Sequence, residues 1–210
     1  LKQPRLVTKS TSESSSIISK VLEKGFVFFF IAGLMLQLSF GPYYSFFALY
    51  LGDLSYPGYA IGLLIGVGVV AEIIIFIIAG ELFKRFSLKS LIFVSILLTS
   101  IRWYLVGEFG SSLPILLLTQ LIHAASFGLY HSASIQFVQQ HFSNDQQSRG
   151  QAIYIGGVYG IGGTLGAYYS GVLWLDGLGA QNTFVMAASA AFLGAFFALL
   201  IPKVQFNRTG

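Results

Sequence analysis

An all-α membrane protein of six transmembrane helices is what this sequence predicts, on three observations. Hydrophobic residues make up 55% of its 210 and charged residues only 10%, against roughly 25% charged in a soluble domain. The apolar residues gather into six runs, each near the roughly 20 residues that a helix rising 1.5 Å per residue needs to cross a 30 Å hydrocarbon core. Lysine and arginine fall almost wholly on alternate connections between those runs, as a fixed orientation in a bilayer requires. A chain of this size cannot hide so much apolar surface in one core and still cover itself with charge. A soluble enzyme and a disordered chain are both excluded.

The head, residues 1–24, is rich in Ser, Thr and Lys and reads as a loop on the membrane surface, with a short helix over 14–25. The first span covers 26–51, inside a charge-free run from Gly25 to Gly52. Gly41-Pro42 is expected to kink or unwind it, since proline removes a helical hydrogen bond. The second span, 59–80, is broken only by Glu72 and carries Gly58, Gly62 and Gly66 around its start. The third, 88–107, contains Arg102; the fourth, 114–140, contains His123 and His131. The fifth, 150–175, is rich in Gly and Tyr, with the pairs Gly156/Gly160 and Gly162/Gly166. Small residues four apart let helix backbones approach closely. The sixth, 182–201, stops at Pro202. Short polar linkers force neighbouring helices to run antiparallel. The chain thus divides into the head (1–24), a six-helix domain (25–202) and a tail (203–210).

Charge gives the orientation. Lys2, Arg5, Lys9, Lys20 and Lys24 in the head, Lys84, Arg85 and Lys89 after the second span, Arg149 after the fourth, and Lys203 and Arg208 in the tail all fall on one side. The connections on the other side carry neither Lys nor Arg, though Asp53 and Asp176 lie there. Both termini of the segment are therefore expected in the cytoplasm. The net charge of +4 forms no basic face with interleaved aromatics, so nucleic acid is not an expected partner. There is no cysteine and no metal-ligand spacing, so neither a metal nor another cofactor is expected. The chain begins without Met on a stretch that lacks the pattern of a signal peptide, and it reads as a piece of a longer protein.

Chemistry is expected where ionisable groups sit at membrane depth. A charge at the centre of a helix in lipid costs roughly 2.5–3.5 kcal/mol on insertion scales, so such residues face the bundle interior and pair. Glu72 and Arg102, opposite in sign and on consecutive antiparallel helices, are expected to meet. Two readings stand at this level: an ion pair that only fixes packing, or a carboxylate whose affinity for a proton depends on the guanidinium beside it. His123 joins them, on a helical face with Gln120, Ser126, Phe127 and Tyr130. His131 falls about 80° round the helix from His123 on ordinary α-helical spacing and reads as bland core. His141 and Glu108 read as solvated helix ends. Gln37, Tyr43 and Tyr44 flank the Gly41-Pro42 break, and broken helices are where transporters hold substrate. No nucleophile–base set, Gly-x-Ser-x-Gly elbow or phosphate loop is present, so the chain does not read as an enzyme.

The runs GVVAEIIIF (68–76), ELFKRFS (81–87), SIRWYLVG (100–107), LPILLLTQLIHAASFGLYH (113–131) and RGQAIY (149–154) resemble the C-terminal half of a bacterial major facilitator superfamily transporter. They are most similar to the phenylpropionic acid permeases, in the wider group with lactose permease and the nucleoside symporters. The resemblance implies half of a twelve-helix fold in the inner membrane, a missing N-terminal six-helix half, and proton-coupled symport of a small solute by alternating access. It implies that Glu72 matches a carboxylate that helps bind the solute, Arg102 an arginine that assists deprotonation and His123 a histidine that orders the binding site, and that the head is the loop between the two halves. Ser126 and Gln120 stand where lactose permease has a glutamate and a lysine, so its mechanism does not transfer whole. If protons are coupled, Glu72 or a carboxylate in the missing half carries them; the expected roles are Glu72 as proton acceptor, Arg102 tuning it or pairing an anionic substrate, His123 hydrogen-bonding nearby, and Gln37, Tyr43, Tyr44, Gln120 and Tyr130 at the substrate. A nucleoside or sugar symporter, an uncoupled facilitator or exporter of the same fold, and a six-span scaffold dimerising through its glycine stripes remain as alternatives.

Overall fold

The protein is described here by a computed structural model covering residues 16–202. Most of the head with Lys2, Arg5 and Lys9, and the tail with Lys203 and Arg208, lie outside the described residues. The surface helix expected in the head is present as α1 (Ile17–Val21). The first span is α2 (Lys24–Ser39) followed by α3 (Gly41–Asp53); α4 (Gly58–Arg85) is the second and α5 (Leu88–Phe109) the third. The fourth runs as α6 (Leu113–His123), a wide π turn (Ala124–Leu129) and α7 (Tyr130–His141). The fifth repeats that pattern as α8 (Gln147–Tyr154), a second π segment (Ile155–Gly162) and α9 (Gly163–Trp174), and α10 (Ala180–Leu200) is the sixth. Among the described residues there is no strand. The chain is thus an all-α, multi-pass membrane fold.

Five of these spans are long and apolar enough to cross a bilayer by length and composition alone: Lys24–Asp53, Gly58–Arg85, Leu88–Phe109, Leu113–His141 and Ala180–Leu200. The fifth span, 147–174, is continuous helix of matching length, but its glycines and tyrosines dilute its hydropathy. Lys24, Lys84, Arg85, Lys89 and Arg149 mark one end of the bundle; Asp53, Glu108 and Asp176 mark the other.

The expected break in the first span falls at Phe40. The Phe40 N–H donates back to the Gln37 carbonyl, and Pro42 opens the new helix in its first turn, where a missing N–H costs nothing. Gly41 sits in the backbone of Gly166, and Gly166 sits against the carbonyl of Leu38, so a methyl group at either position would strike main chain. One of the two glycine pairs of the fifth span, Gly162/Gly166, is therefore the surface on which the first span lies. The other, Gly156/Gly160, meets nothing within 4 Å, and the same holds for Gly58, Gly62 and Gly66 on α4.

Core packing also corrects one expectation. The helices α4 and α5 are neighbours in sequence but do not lie along each other. Instead α4 packs on α6 and the wide turn that follows it, and α5 packs on α6, α7 and α10. The fourth span is thus inserted between the second and the third. Only 11% of the apolar stretch of α4 is buried, against about half in most other spans, so this helix stands at the side of the bundle with one face open.

Candidate functional site

Insertion of α6 decides how the three membrane-depth ionisable residues meet. Glu72 and Arg102 form no direct ion pair among the described residues; His123, on the intervening helix, stands between them. Arg102 Nη1 lies 2.8 Å from His123 Nδ1. A guanidinium can only donate, so Nδ1 accepts and the proton of the neutral ring sits on Nε2. That nitrogen stands 2.8 Å from Glu72 Oε1, close but off the line of a hydrogen bond, which leaves this buried oxygen without an aligned donor. The result is a Glu72–His123–Arg102 chain inside the bundle.

Local packing makes the chain possible. Gly68, one turn before Glu72, clears room for the imidazole: a Cβ there would lie 3.0 Å from Gln120 Oε1 and 3.2 Å from His123 Cδ2. Gly128 does the same for the wide turn: a Cβ there would lie 2.5 Å from Ile75 Cγ2 and 3.7 Å from the Glu72 carbonyl oxygen of α4. Arg102 is fully buried. Its guanidinium lies over the rings of Tyr43 and Trp103, 4.4 and 4.2 Å from their centroids, where desolvated cation–π contacts are strong. Two of its three nitrogens, Nε and Nη2, have no hydrogen-bond partner. A buried cation left so under-satisfied is costly and calls for an acceptor.

The candidate substrate residues divide into two groups. Tyr43 donates to Gln120 Oε1 at 3.2 Å, and its ring lies 5.3 Å from His123, so both belong to the charged centre. The amide nitrogen of Gln120 is buried without a partner. Tyr44 is 63% exposed and stacks on Phe40 at the open side of the same centre. Tyr130 is elsewhere: 1% exposed, it accepts from Tyr154 OH at 3.2 Å, beneath Gly33 of the first span. Gln37 is also buried, packed against Gly162 of the fifth span.

Two aromatic residues escaped the reading of the sequence. Trp103 closes one side of Arg102 and donates from Nε1 to Ser39 Oγ at 3.1 Å, and Phe40 packs edge-on against Trp103 and near His123. No periodicity marks them, because their partners lie on other helices. His141, expected to be a solvated end, is instead only 11% exposed at its side chain; its Nε2 lies 2.8 Å from the Lys20 carbonyl, and its ring stacks on Phe26 and Phe137.

The fold and this cluster together define a polytopic helix bundle with an acid, an imidazole and a guanidinium gathered inside it. Residues 3–186 match the MFS_1 like family, and the chain belongs to that family, one of transporters and not of enzymes. It is 32% identical over 170 residues to the Escherichia coli (strain K12) protein named "Probable 3-phenylpropionic acid transporter", across 81% of this chain and 43% of that protein. The chain thus spans less than half the length of that relative. No solved structure matches it.

Proposed function

We propose that this chain is the C-terminal six-helix half of a proton-coupled symporter that imports a small aromatic carboxylic acid, such as 3-phenylpropionate, across a bacterial inner membrane by alternating access. The observation that carries the reading is the Glu72–His123–Arg102 chain. Glu72 takes the proton; neutralising it weakens its hold on His123, and the change reaches Arg102 through the ring. Arg102, with two nitrogens unsatisfied, is the group that receives an anionic carboxylate. Tyr43, Tyr44 and Gln120 line the approach, giving an aromatic wall and an amide donor beside the charge. Gln37 and Tyr130 serve the same pathway deeper in the bundle.

The open faces support a two-half arrangement. The glycines of α4 and the pair Gly156/Gly160 meet nothing in this half, and α4 buries little of its apolar surface. Both suit close contact with the six helices of an N-terminal half, with residues 1–24 as the connecting cytoplasmic loop, 203–210 as a cytoplasmic tail, and both ends of this segment inside. Relationship to the E. coli protein, as its name stands, supports the substrate class.

The test uses the full-length transporter in proteoliposomes with labelled 3-phenylpropionate. Wild-type protein is expected to accumulate it against a gradient when the outside is acidic, with alkalinisation of the external medium. Glu72→Gln is expected to abolish accumulation and the pH change together. Undiminished concentrative uptake by that variant removes the proton-acceptor role, and uptake without any pH change favours a facilitator.

A further inference from the structure

An importer that binds a proton at the centre of the membrane must also release it on the other side, and the charged centre itself offers no route. His123 has both ring nitrogens engaged, Nδ1 by Arg102 and Nε2 by proximity to Glu72. Along the described helices, the side chains that can carry a proton near neutral pH between the acidic and basic ends of the bundle are Glu72, His123 and His131. His131 lies eight residues beyond His123, about 12 Å nearer the basic end on an α-helical rise.

On ordinary helical spacing His131 would be turned away from that path. The wide turn between the two histidines overrides the spacing, since i→i+5 bonding puts more residues into each turn and unwinds the helix. The outcome is visible in the rings. His123 stacks on Phe127 with centroids 5.8 Å apart and planes at 24°, and Phe127 stacks on His131 at 6.1 Å and 9°. The three rings form one ladder along one face, with Phe127 as its middle rung. His131 Nδ1 lies 2.9 Å from Tyr159 OH on the fifth span, and its Nε2 makes no hydrogen bond among the described residues.

We infer that His131, held by Tyr159, is the release-side proton acceptor of the transporter, and that Phe127 is the barrier separating it from the Glu72–His123 centre. The inference rests on the reading of Glu72 as the proton-binding carboxyl. When Phe127 leaves the stack, a water molecule enters between the two stations. The Glu72 O–H bond breaks, the water passes the proton on, and an N–H bond forms at His131 Nε2. A carboxylate remains in the field of Arg102, and the His131 imidazolium gives its proton to water on the cytoplasmic side. The surroundings of His131 suit an acceptor. Tyr130 is beside it, Tyr159 faces it from the fifth span with Tyr154 packed against Tyr159, Glu72 on α4 and Arg102 on α5 lie beyond Phe127, and its one polar partner among the described residues is the Tyr159 hydroxyl.

The experiment compares two processes in the full-length protein in proteoliposomes, with labelled 3-phenylpropionate. Exchange of labelled for unlabelled solute at equal pH requires no net proton release; uphill uptake under an inward proton gradient does. His131→Gln is expected to keep exchange within about twofold of wild type while uphill uptake falls by about tenfold or more, the scale of losing a positioned acid–base group. Tyr159→Phe keeps the imidazole but frees Nδ1, and is expected to shift the pH profile of uptake with exchange unchanged. Uphill uptake retained by His131→Gln, or exchange lost along with it, overturns the inference, as does an unmoved pH profile in Tyr159→Phe. Should Glu72→Gln abolish uphill uptake while His131→Gln does not, only this inference fails. Should Glu72→Gln retain it, or the wild type transport nothing, the underlying reading fails and takes this one with it.

Discussion

Replacing Arg102 by Met separates a structural charge from a functional one. The side chain is fully buried, and its favourable contacts can be counted. It makes one charge-assisted hydrogen bond to His123, worth about 1.5–3 kcal/mol, and two cation–π contacts to Tyr43 and Trp103, each worth up to about 2 kcal/mol when desolvated. Against these stand Nε and Nη2, two buried donors without partners, at about 1–3 kcal/mol each. The opposing terms are of equal size, and Met fills the same space with a thioether that packs well on aromatic rings. The variant also leaves His123 Nδ1 without its donor, at about 1–3 kcal/mol, so stability is expected to fall by no more than about 3 kcal/mol. Concentrative uptake is expected to be lost, because nothing then balances the Glu72 carboxylate or receives an anionic solute. Thermal unfolding of the purified full-length protein in detergent, paired with uptake in proteoliposomes, reads both. A destabilisation beyond about 3 kcal/mol, the cost of orphaning a buried partner, would show that Arg102 holds the bundle together and would refute the reasoning.

Two glycine substitutions test the packing beneath the site. Gly166→Ala places a methyl group against the Leu38 carbonyl, with the Leu38 Cα only 3.0 Å away; main chain cannot swing aside, so overpacking of about 1–3 kcal/mol should exceed the roughly 1 kcal/mol that alanine gains in a helix. A lower unfolding midpoint is expected, and an unchanged or raised one contradicts the close crossing of the first and fifth spans. Gly68→Ala meets only movable side-chain atoms, Gln120 Oε1 at 3.0 Å and His123 Cδ2 at 3.2 Å. Stability should hold to within about 1 kcal/mol, while displacing the imidazole from Glu72 should lower uphill uptake by about tenfold. Normal uptake by this variant would show that the Glu72–His123 spacing is not critical.

Much of the architecture was legible because lipid leaves few alternatives. Every backbone group must be satisfied within its own helix, so run length alone located six spans, and the Gly41-Pro42 pair located the break that appears at Phe40. The site was legible for a related reason: a charge at membrane depth is too costly to be incidental, which singled out Glu72, Arg102 and His123 before any contact was known. Packing order was not legible. Short antiparallel connections permit α4 to lie beside α5 or beside α6, and only the fit of side chains at Gly68 and Gly128 selects α6. The expected Glu72–Arg102 pair became a three-membered chain for that reason.

The wide turn of the fourth span is the feature that pattern reading could not reach, and it governs the most. Residues 124–129, Ala-Ala-Ser-Phe-Gly-Leu, permit a π turn without requiring one. What holds it is tertiary: without a side chain at Gly128 the turn presses against Ile75 and the Glu72 carbonyl of α4. The same contact that seats the turn on α4 keeps His123 beside the Glu72 carboxyl, and the same unwinding brings His131 onto the face of His123. The polar stations are therefore not independent: a side chain at position 128 displaces the turn, and with it both the spacing of the acid to its imidazole and the register of the second imidazole. A periodicity of 3.6 separates His123 from His131; packing against a neighbouring helix aligns them through the ring of Phe127, and the proposed proton route rests on that alignment.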